Sequence, residues 1–317
     1  VELGDFFGPG ALVRDRTGDL VSLLRGHRIG RITILSGGLR IGDAHSLEDC
    51  APIDVPAGAH EVVFGANEMD AGHDGIGLSI RVRSGAIVRW KRLRSVGVDS
   101  AAVVIADARA KVSHEKLSSI ESPLGAAIIG RSTAVARVGS DGRYPLQAGY
   151  DARDRLVALA VATRTPRSFA RWPARGSDVP PVDARDLDAC LAWAREVGGD
   201  QAIVRAGETD VAPLRAIRPI PADLRRYYAT HTPWIGGNLA TFRAIVKRNA
   251  LGRALPIAVN GDDALVYLDE EDRVVDLCQG SVMGTSLDLR AWALLSTIAV
   301  HDLRTRGCMR REILPHA

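Results

Sequence analysis

His60, Glu61, Glu68, Asp70, His73 and Asp74 are the residues of this 317-residue chain whose types come nearest to catalytic or metal-binding chemistry. Imidazole and carboxylate donors can together hold a divalent cation, which then acts as a Lewis acid. Their spacing has none of the tight ligand pairs, such as HExxH, that mark such a site. The plainer reading is preferred: a polar hairpin loop between the strand segments HEVVF and LSIRV. Asp99 and Asp107 bracket VDSAAVVIAD and share one face of an extended segment. Eight extended residues span about 26 Å, too far for two carboxylates to serve one reacting centre, so the reading is of turn caps at strand ends. His301 and Asp302 are adjacent in a helical segment and do not share a face. Gly280-Ser281-Val282-Met283-Gly284 sets its serine one place too early for a nucleophile elbow. Neither GxxxxGK[ST] nor a strand-coupled GxGxxG occurs, so nucleotide binding has no local support. The expectation is a protein that is not an enzyme and carries no cofactor or metal.

The elements around these residues change character along the chain. Through residue 165, short runs rich in Val and Ile (RITIL, IDVP, HEVVF, LSIRV, AIVRW, AAVVIAD, LVALAVAT) alternate with Gly, Asp, Ser and Pro. That rhythm predicts a β-rich domain over 1–165, a sandwich or barrel-like fold. Ile80, Val82, Ala86, Val88 and Trp90 fall at even positions, interleaved with Arg81, Arg83 and Arg89, so a strand pair with one basic face is expected, turning at Ser84-Gly85. The proline-rich residues 166–182 read as a linker. Beyond them, over 183–317, the apolar period shifts towards 3.6. Helices are expected over Leu187–Val197 and Leu239–Asn249. A closing helix capped by Thr285 or Ser286 follows the strands LPIAV, ALVYLD and RVVDL. The expected class is therefore α+β.

A formal net charge of +3 is small for this length and gives no general polyanion-binding signature. The cysteines (Cys50, Cys190, Cys278, Cys308) are scattered without a CxxC pair, which favours reduced, mostly buried thiols in a cytoplasmic protein. The apolar run Ala291–Val300 is too short to span a bilayer, so no membrane partner is expected. Arg81, Arg83, Arg89, Lys91, Arg92 and Arg94 cluster around Trp90 without an intervening acid. One aromatic in register with the core is no stacking platform, so a solvated basic face is expected and no direct nucleic-acid contact.

The run RPIPADLRRYYATH carries more information. Pro221 suits a first helical turn, Asp223 suits the positive end of the helix dipole, and Leu224, Tyr227 and Tyr228 share a face. After it come Trp234-Ile235-Gly236-Gly237, then Leu255-Pro256-Ile257-Ala258, then Asp262-Asp263 before a strand ending at Asp269. In this order the second half resembles the SUKH superfamily, although that family has an Asn-Gly pair where this chain has Gly236-Gly237. The first half, through ILSGGLRIGDA with VPAGAHEVVF, VRW with GVDSAAVVIAD, and GSDGRYPLQAGYDARDRLVALAV, resembles the DUF4241 family of bacterial domains. The DUF4241 resemblance implies a β-rich fold and no catalytic residues. The SUKH resemblance implies recognition without a reaction, because many members are immunity proteins that bind bacterial toxins.

The expected function is that of a bacterial immunity protein that binds a cognate protein toxin, such as a nuclease, and occludes its active site. The expected contact residues are Tyr228, His231 and Trp234 in and after the Pro221-led helix, with the acidic turn residues Asp262, Asp263, Asp269, Glu270, Glu271 and Asp272. Aromatic anchors amid charge are typical of energetic centres at interfaces. An acidic surface would steer association with a basic partner, and a nuclease has such a face because its substrate is a polyanion. The alternative is a small-molecule or metal-binding enzyme domain in the first half, through His60 and His73, with the second half as a docking module.

Overall fold

The computed structural model describes residues 1–16, 21–69, 72–111, 125–139, 141–171, 212–228, 253–259, 265–278, 281–289 and 292. The chain divides into two compact units: Val1–Gly18, Leu23–Asn67 and Asp74–Arg171 form the first, and Asp19–Ser22, Glu68–His73 and Trp172–Ala317 the second.

The strands up to Arg171 are β1 (Ala11–Asp15), β2 (Val21–Ile34), β3 (Gly38–Asp43), β4 (Ile53–Asp54), β5 (Gly58–Met69), β6 (Gly72–Arg81), β7 (Arg89–Val98), β8 (Ala102–Asp107), β9 (Ala126–Ile129), β10 (Thr133–Arg137), β11 (Gly142–Tyr150), β12 (Leu156–Ala162) and β13 (Phe169–Arg171). They form an eight-stranded sheet, ordered β13-β1-β2-β5-β6-β12-β11-β7, and a five-stranded sheet, ordered β4-β3-β8-β10-β9. Residues of both sheets meet in one core, where Ile32, Phe64, Ile80 and Leu159 of the larger sheet join Leu39, Ile41 and Ile105 of the smaller. β8 lies in the middle of the smaller sheet and is buried along its whole length. A continuous apolar run is what a strand covered on both faces requires. Val103 and Ile105 enter the shared core, while Ala102, Val104 and Ala106 meet Leu47 and Val135 on the far side.

The amino-terminal turn Leu3–Phe7 closes another part of the larger sheet, with the Phe6 ring edge-on to Phe169 at 5.7 Å. It lies against glycines of two neighbouring strands. A Cβ on Gly26 would stand 2.5 Å from the Phe7 carbonyl oxygen, and one on Gly65 would stand 2.8 Å from that of Phe6. Glycine is therefore set here by close backbone approach.

The two sheets are tied where the chain crosses between them. β3 and β8 are antiparallel neighbours, with Leu39 opposite Asp107 and Asp43 opposite Val103. Asp107, the last residue of β8, accepts the N–H groups of Leu35 (2.6 Å) and Ser36 (2.9 Å) in the β2–β3 crossover, and that of Arg109 at 2.8 Å. Asp43, the last residue of β3, accepts the N–H groups of Asp99 and Ser100 (2.9 Å each) and the Ser100 hydroxyl (2.7 Å) in the β7–β8 crossover. Its other oxygen takes the His45 N–H at 2.7 Å. Each strand's terminal carboxylate thus pins the crossover that feeds the other strand. Burial would raise both carboxyl pKa values, but the donated hydrogen bonds outweigh it and hold both below the ordinary carboxylate range.

In the second unit, α1 (Ala212–Arg215) and α2 (Ala222–Tyr228) precede β14 (Leu255–Val259), β15 (Leu265–Leu268), β16 (Arg273–Cys278) and β17 (Ser281–Asp288), which form one antiparallel sheet in sequence order. Asp223 lies in the first turn of α2, and the Arg225 N–H reaches the Pro221 carbonyl at 3.0 Å. Leu224 and Ile220 are buried, as are Val266, Tyr267 and Leu268 along β15.

These elements overturn the α+β expectation of a helix-rich second domain. Among the described residues the chain is mostly β, with helix confined to short segments. From Leu255 onward, β-branched and aliphatic runs pair into an antiparallel sheet. Thr285 and Ser286, read as caps of a closing helix, lie inside β17, where Thr285 faces Val275. Helical backbone begins only at Leu289. The helices expected over Leu187–Val197 and Leu239–Asn249 lie outside the described residues. The basic strand pair is corrected too. β6 pairs with β12 and β7 pairs with β11, so Arg81 and Arg89 belong to strands separated by two others, and Arg83 lies in the connection. Ala86 and Val88 are exposed in the connection, outside any strand. Among the described residues no helix is long and apolar enough to cross a membrane.

Asp107→Asn removes a charge that its backbone donors favour, and urea denaturation at neutral pH is expected to show a loss of about 1–3 kcal/mol. The folded pKa of this aspartate is lowered, so its contribution is fully present above the unfolded value of about 3.9 and is lost as pH falls through the folded one. The gap between the native chain and Asp107→Asn should therefore close between about pH 4 and the acid end of the titration. A gap that stays constant across that range would show that the carboxylate charge contributes nothing.

Candidate functional site

The acidic turn between β15 and β16 is the part of the predicted contact surface whose geometry is described. Asp269 turns inward on its own loop. Its Oδ1 accepts the N–H groups of Glu271 (3.0 Å) and Arg273 (2.8 Å), and its Oδ2 accepts the Arg273 guanidinium at 2.8 and 2.7 Å. The Asp272 N–H closes the turn on the Asp269 carbonyl at 3.1 Å, and Asp272 takes a left-handed φ of 61°. Aspartate is among the few non-glycine residues that tolerate this region. The backbone pairing of Asp269 N–H with the Arg273 carbonyl, at 2.9 Å, completes a three-residue hairpin loop ending in a left-handed residue.

The same loop occurs in the first unit between β11 and β12. Asp151 Oδ1 accepts the N–H groups of Arg153 and Arg155 at 2.9 Å each, and Oδ2 accepts the Arg155 guanidinium at 2.9 and 2.7 Å. Asp154 N–H meets the Asp151 carbonyl at 3.0 Å, with φ of 62° at Asp154. The Arg155 bonds, backbone first and then side chain, outweigh burial and lower the Asp151 pKa. The common sequence is Asp-x-x-Asp-Arg: Asp151-Ala-Arg-Asp-Arg in one unit and Asp269-Glu-Glu-Asp-Arg in the other. First Asp, left-handed Asp and Arg build the frame, and the two central residues are left to face outward. An Asp-x-x-Asp-Arg string between alternating segments was the sequence signal for this arrangement.

Arg218 anchors the second-unit loop, and sequence reasoning missed it. Its side chain is 10% exposed and binds Asp272 Oδ1 through two nitrogens at 2.9 Å each. It also donates to the Asp269 carbonyl at 2.5 Å and to the Arg253 carbonyl at 3.0 Å. The segment entering α2 is thereby fixed to the loop and to the start of β14. A lone Arg in Ala-Ile-Arg-Pro carries no local mark of that role.

The contact residues expected from sequence thus fall into separate groups. Asp269 and Asp272 hold the loop. Glu271 is exposed and pairs with Arg273 at 2.8 Å, and Glu270 is exposed with no bond among the described residues. Tyr228 ends α2, while His231, Trp234, Asp262 and Asp263 lie outside the described residues.

Of the chemistry-bearing residues of the first half, Asp70 lies outside the described residues. His60 Nε2 lies 2.7 Å from the Pro56 carbonyl, and Glu61 pairs with Arg28 at 2.8 Å. Among the described residues no group of three or more His, Cys, Asp or Glu could hold a metal ion. Asp141 accepts the Ala101 N–H at 2.8 Å, a turn role. Cys50 is half-buried against Gly42. Burial pushes its thiol pKa up and nearby Arg94 only partly offsets this, which suits an inert side chain. Ser281 opens β17 rather than a strand-to-helix elbow. Comparison with protein-family models, curated proteins and solved structures finds no match.

The division between frame and outward residues is checked by thermal and urea denaturation of single variants. Asp269→Ala strands loop donors and an Arg, and is expected to cost about 1–3 kcal/mol. Glu270→Ala is expected to stay within about 0.5 kcal/mol of the native chain. Equal effects at the two positions would contradict the division.

Proposed function

We propose that the chain is an immunity-type binding protein of the SUKH kind, acting in the cytoplasm, and that its partner is a protein toxin with a basic substrate-binding face. The observation that carries this reading is the locked acidic loop Asp269–Arg273. Glu270 and Glu271 project from a hairpin whose shape is already fixed by Asp269, Asp272 and Arg218. A surface rigid before binding loses little conformational freedom on association. Negative charge at its tip favours fast encounter with a cationic face. The order of the Pro221-led helix, the strand LPIAV and the acidic turn supports the same reading through its resemblance to SUKH immunity proteins. A toxin whose substrate is a nucleic acid needs a cationic cleft, and an acidic loop seated there would exclude the polyanion.

The test is co-purification with the product of the adjacent reading frame, followed by association kinetics. Glu270→Lys together with Glu271→Lys is the variant of choice, because it reverses the outward charge and spares the residues that hold the loop. Its association rate at low salt is expected to fall by about tenfold or more, with a smaller fall at high salt. An unchanged rate with a normally folded double variant would remove the acidic loop from the interface.

A further inference from the structure

Strand β7 forms one edge of the eight-stranded sheet among the described residues, paired with β11 alone. It carries Arg89, Lys91, Arg92 and Arg94, and no acidic residue lies between Arg81 and Arg94. Its register shows where these cations stand. Lys91 is opposite Ala148, which is opposite Leu159, which is opposite Ile80. Ala148, Leu159 and Ile80 all belong to the shared core, so Lys91 occupies a core-facing position at the open end of an apolar row. Arg94 stands likewise at the end of the row Leu78, Val161, Leu146, and its guanidinium donates to the Ala51 carbonyl at 2.7 Å. Between them the ladder is broken, because Leu146 pairs with Arg94 and Gln147 with Arg92, leaving Leu93 over and 41% exposed.

Inward-pointing charge and a bulge are the usual means of keeping a sheet edge from pairing with another strand. Here they do so selectively. A neutral or basic strand laid beside Arg89–Arg92 would take Lys91 out of water without a counter-charge, at the cost of an unpaired buried cation. A strand with a carboxylate in that register would pair with it across the ladder. Alternate residues of an extended strand repeat at ~6.6–6.8 Å, so acidic side chains at every second position match Arg89 and Lys91. Arg89 already pairs with Asp154 and stacks over the Tyr150 ring at 5.1 Å, both on the β11 side of the strand, so Lys91 is the cation left to the open edge. Lys91 is exposed and has no partner among the described residues. Val88, 61% exposed, and Leu93 supply apolar surface that a peptide side chain can cover and a phosphate backbone cannot. The aromatic rings nearby are engaged elsewhere, Tyr150 under Arg89 and Trp90 against the cluster of Phe6 and Phe169, which leaves no platform for bases.

We infer that the Arg89–Arg92 edge of β7 is a docking site for an acidic, extended polypeptide segment that adds as a further strand. This surface belongs to the first unit, and the inference does not rest on the immunity reading.

The full chain is titrated with a labelled synthetic peptide of alternating glutamate and valine, followed by fluorescence anisotropy. Amide hydrogen exchange across β7 is read in parallel. Saturable binding with slowed exchange at residues 89–92 is expected, and Lys91→Glu should weaken it by about tenfold or more. A lysine–valine peptide of the same length should not bind, a comparison that uses the native chain and holds even if Lys91→Glu fails to fold. Absence of binding by the glutamate–valine peptide overturns the inference. Binding without slowed exchange on β7 also overturns it, because contact would then be through side chains alone. Tighter binding of an oligothymidylate of equal charge overturns it in favour of a nucleic-acid surface.

Discussion

The first unit depends on an exchange of carboxylates between adjacent strands. β3 and β8 lie side by side in the smaller sheet, and each is reached by a crossover from the larger one. Asp107 at the end of β8 holds the crossover into β3, and Asp43 at the end of β3 holds the crossover into β8. Backbone donors in such turns have no ladder partner, and leaving them dry would cost more than any single apolar contact nearby contributes. The core of Ile32, Phe64, Ile105 and Leu159 supplies the non-directional stabilisation. The carboxylates set where the two sheets are stitched, and so which faces meet.

The hairpins extend this principle to both units. One loop, Asp-x-x-Asp-Arg, is built twice with the same hydrogen bonds and the same left-handed residue. Its interior is fixed by chemistry that only a short carboxylate and a guanidinium provide. The outward positions are free to vary, and they do: Ala152 and Arg153 in one loop, Glu270 and Glu271 in the other. Charge that looked like one acidic surface in the sequence therefore divides into charge that folds the loop and charge that faces solvent. Of the expected contact residues in this loop, Asp269 and Asp272 hold it together while Glu270 and Glu271 face solvent.

Legibility in the sequence followed the range of each interaction. Alternation of apolar residues is local, and segments such as LSIRV, AAVVIAD and LVALAVAT fall in β6, β8 and β12. Turn-capping by Asp107 was readable because a carboxylate at a strand end has few other uses. Neighbour relations across a sheet are not local. Arg81 and Arg89 are close in sequence, yet β12 and β11 lie between their strands, so the expected basic hairpin face does not exist. Thr285 and Ser286 carry the cap chemistry of a helix start, and pairing with β16 overrode it. Arg218 was silent for the same reason, since its partners at Asp269, Asp272 and Arg253 are distant in the chain.

Asp43, Asp107 and Asp151 act as framework, each carboxylate committed to turn and crossover donors that favour its charged form. The direct measurement is an NMR titration of the aspartate side-chain carboxyl carbons in the full chain, with Asp43, Asp107 and Asp151 assigned by substitution. All three are expected to titrate below the ordinary aspartate value of about 3.9. Any of them titrating well above it, towards neutrality, would mark a carboxyl poised for acid–base chemistry and rule out the framework role.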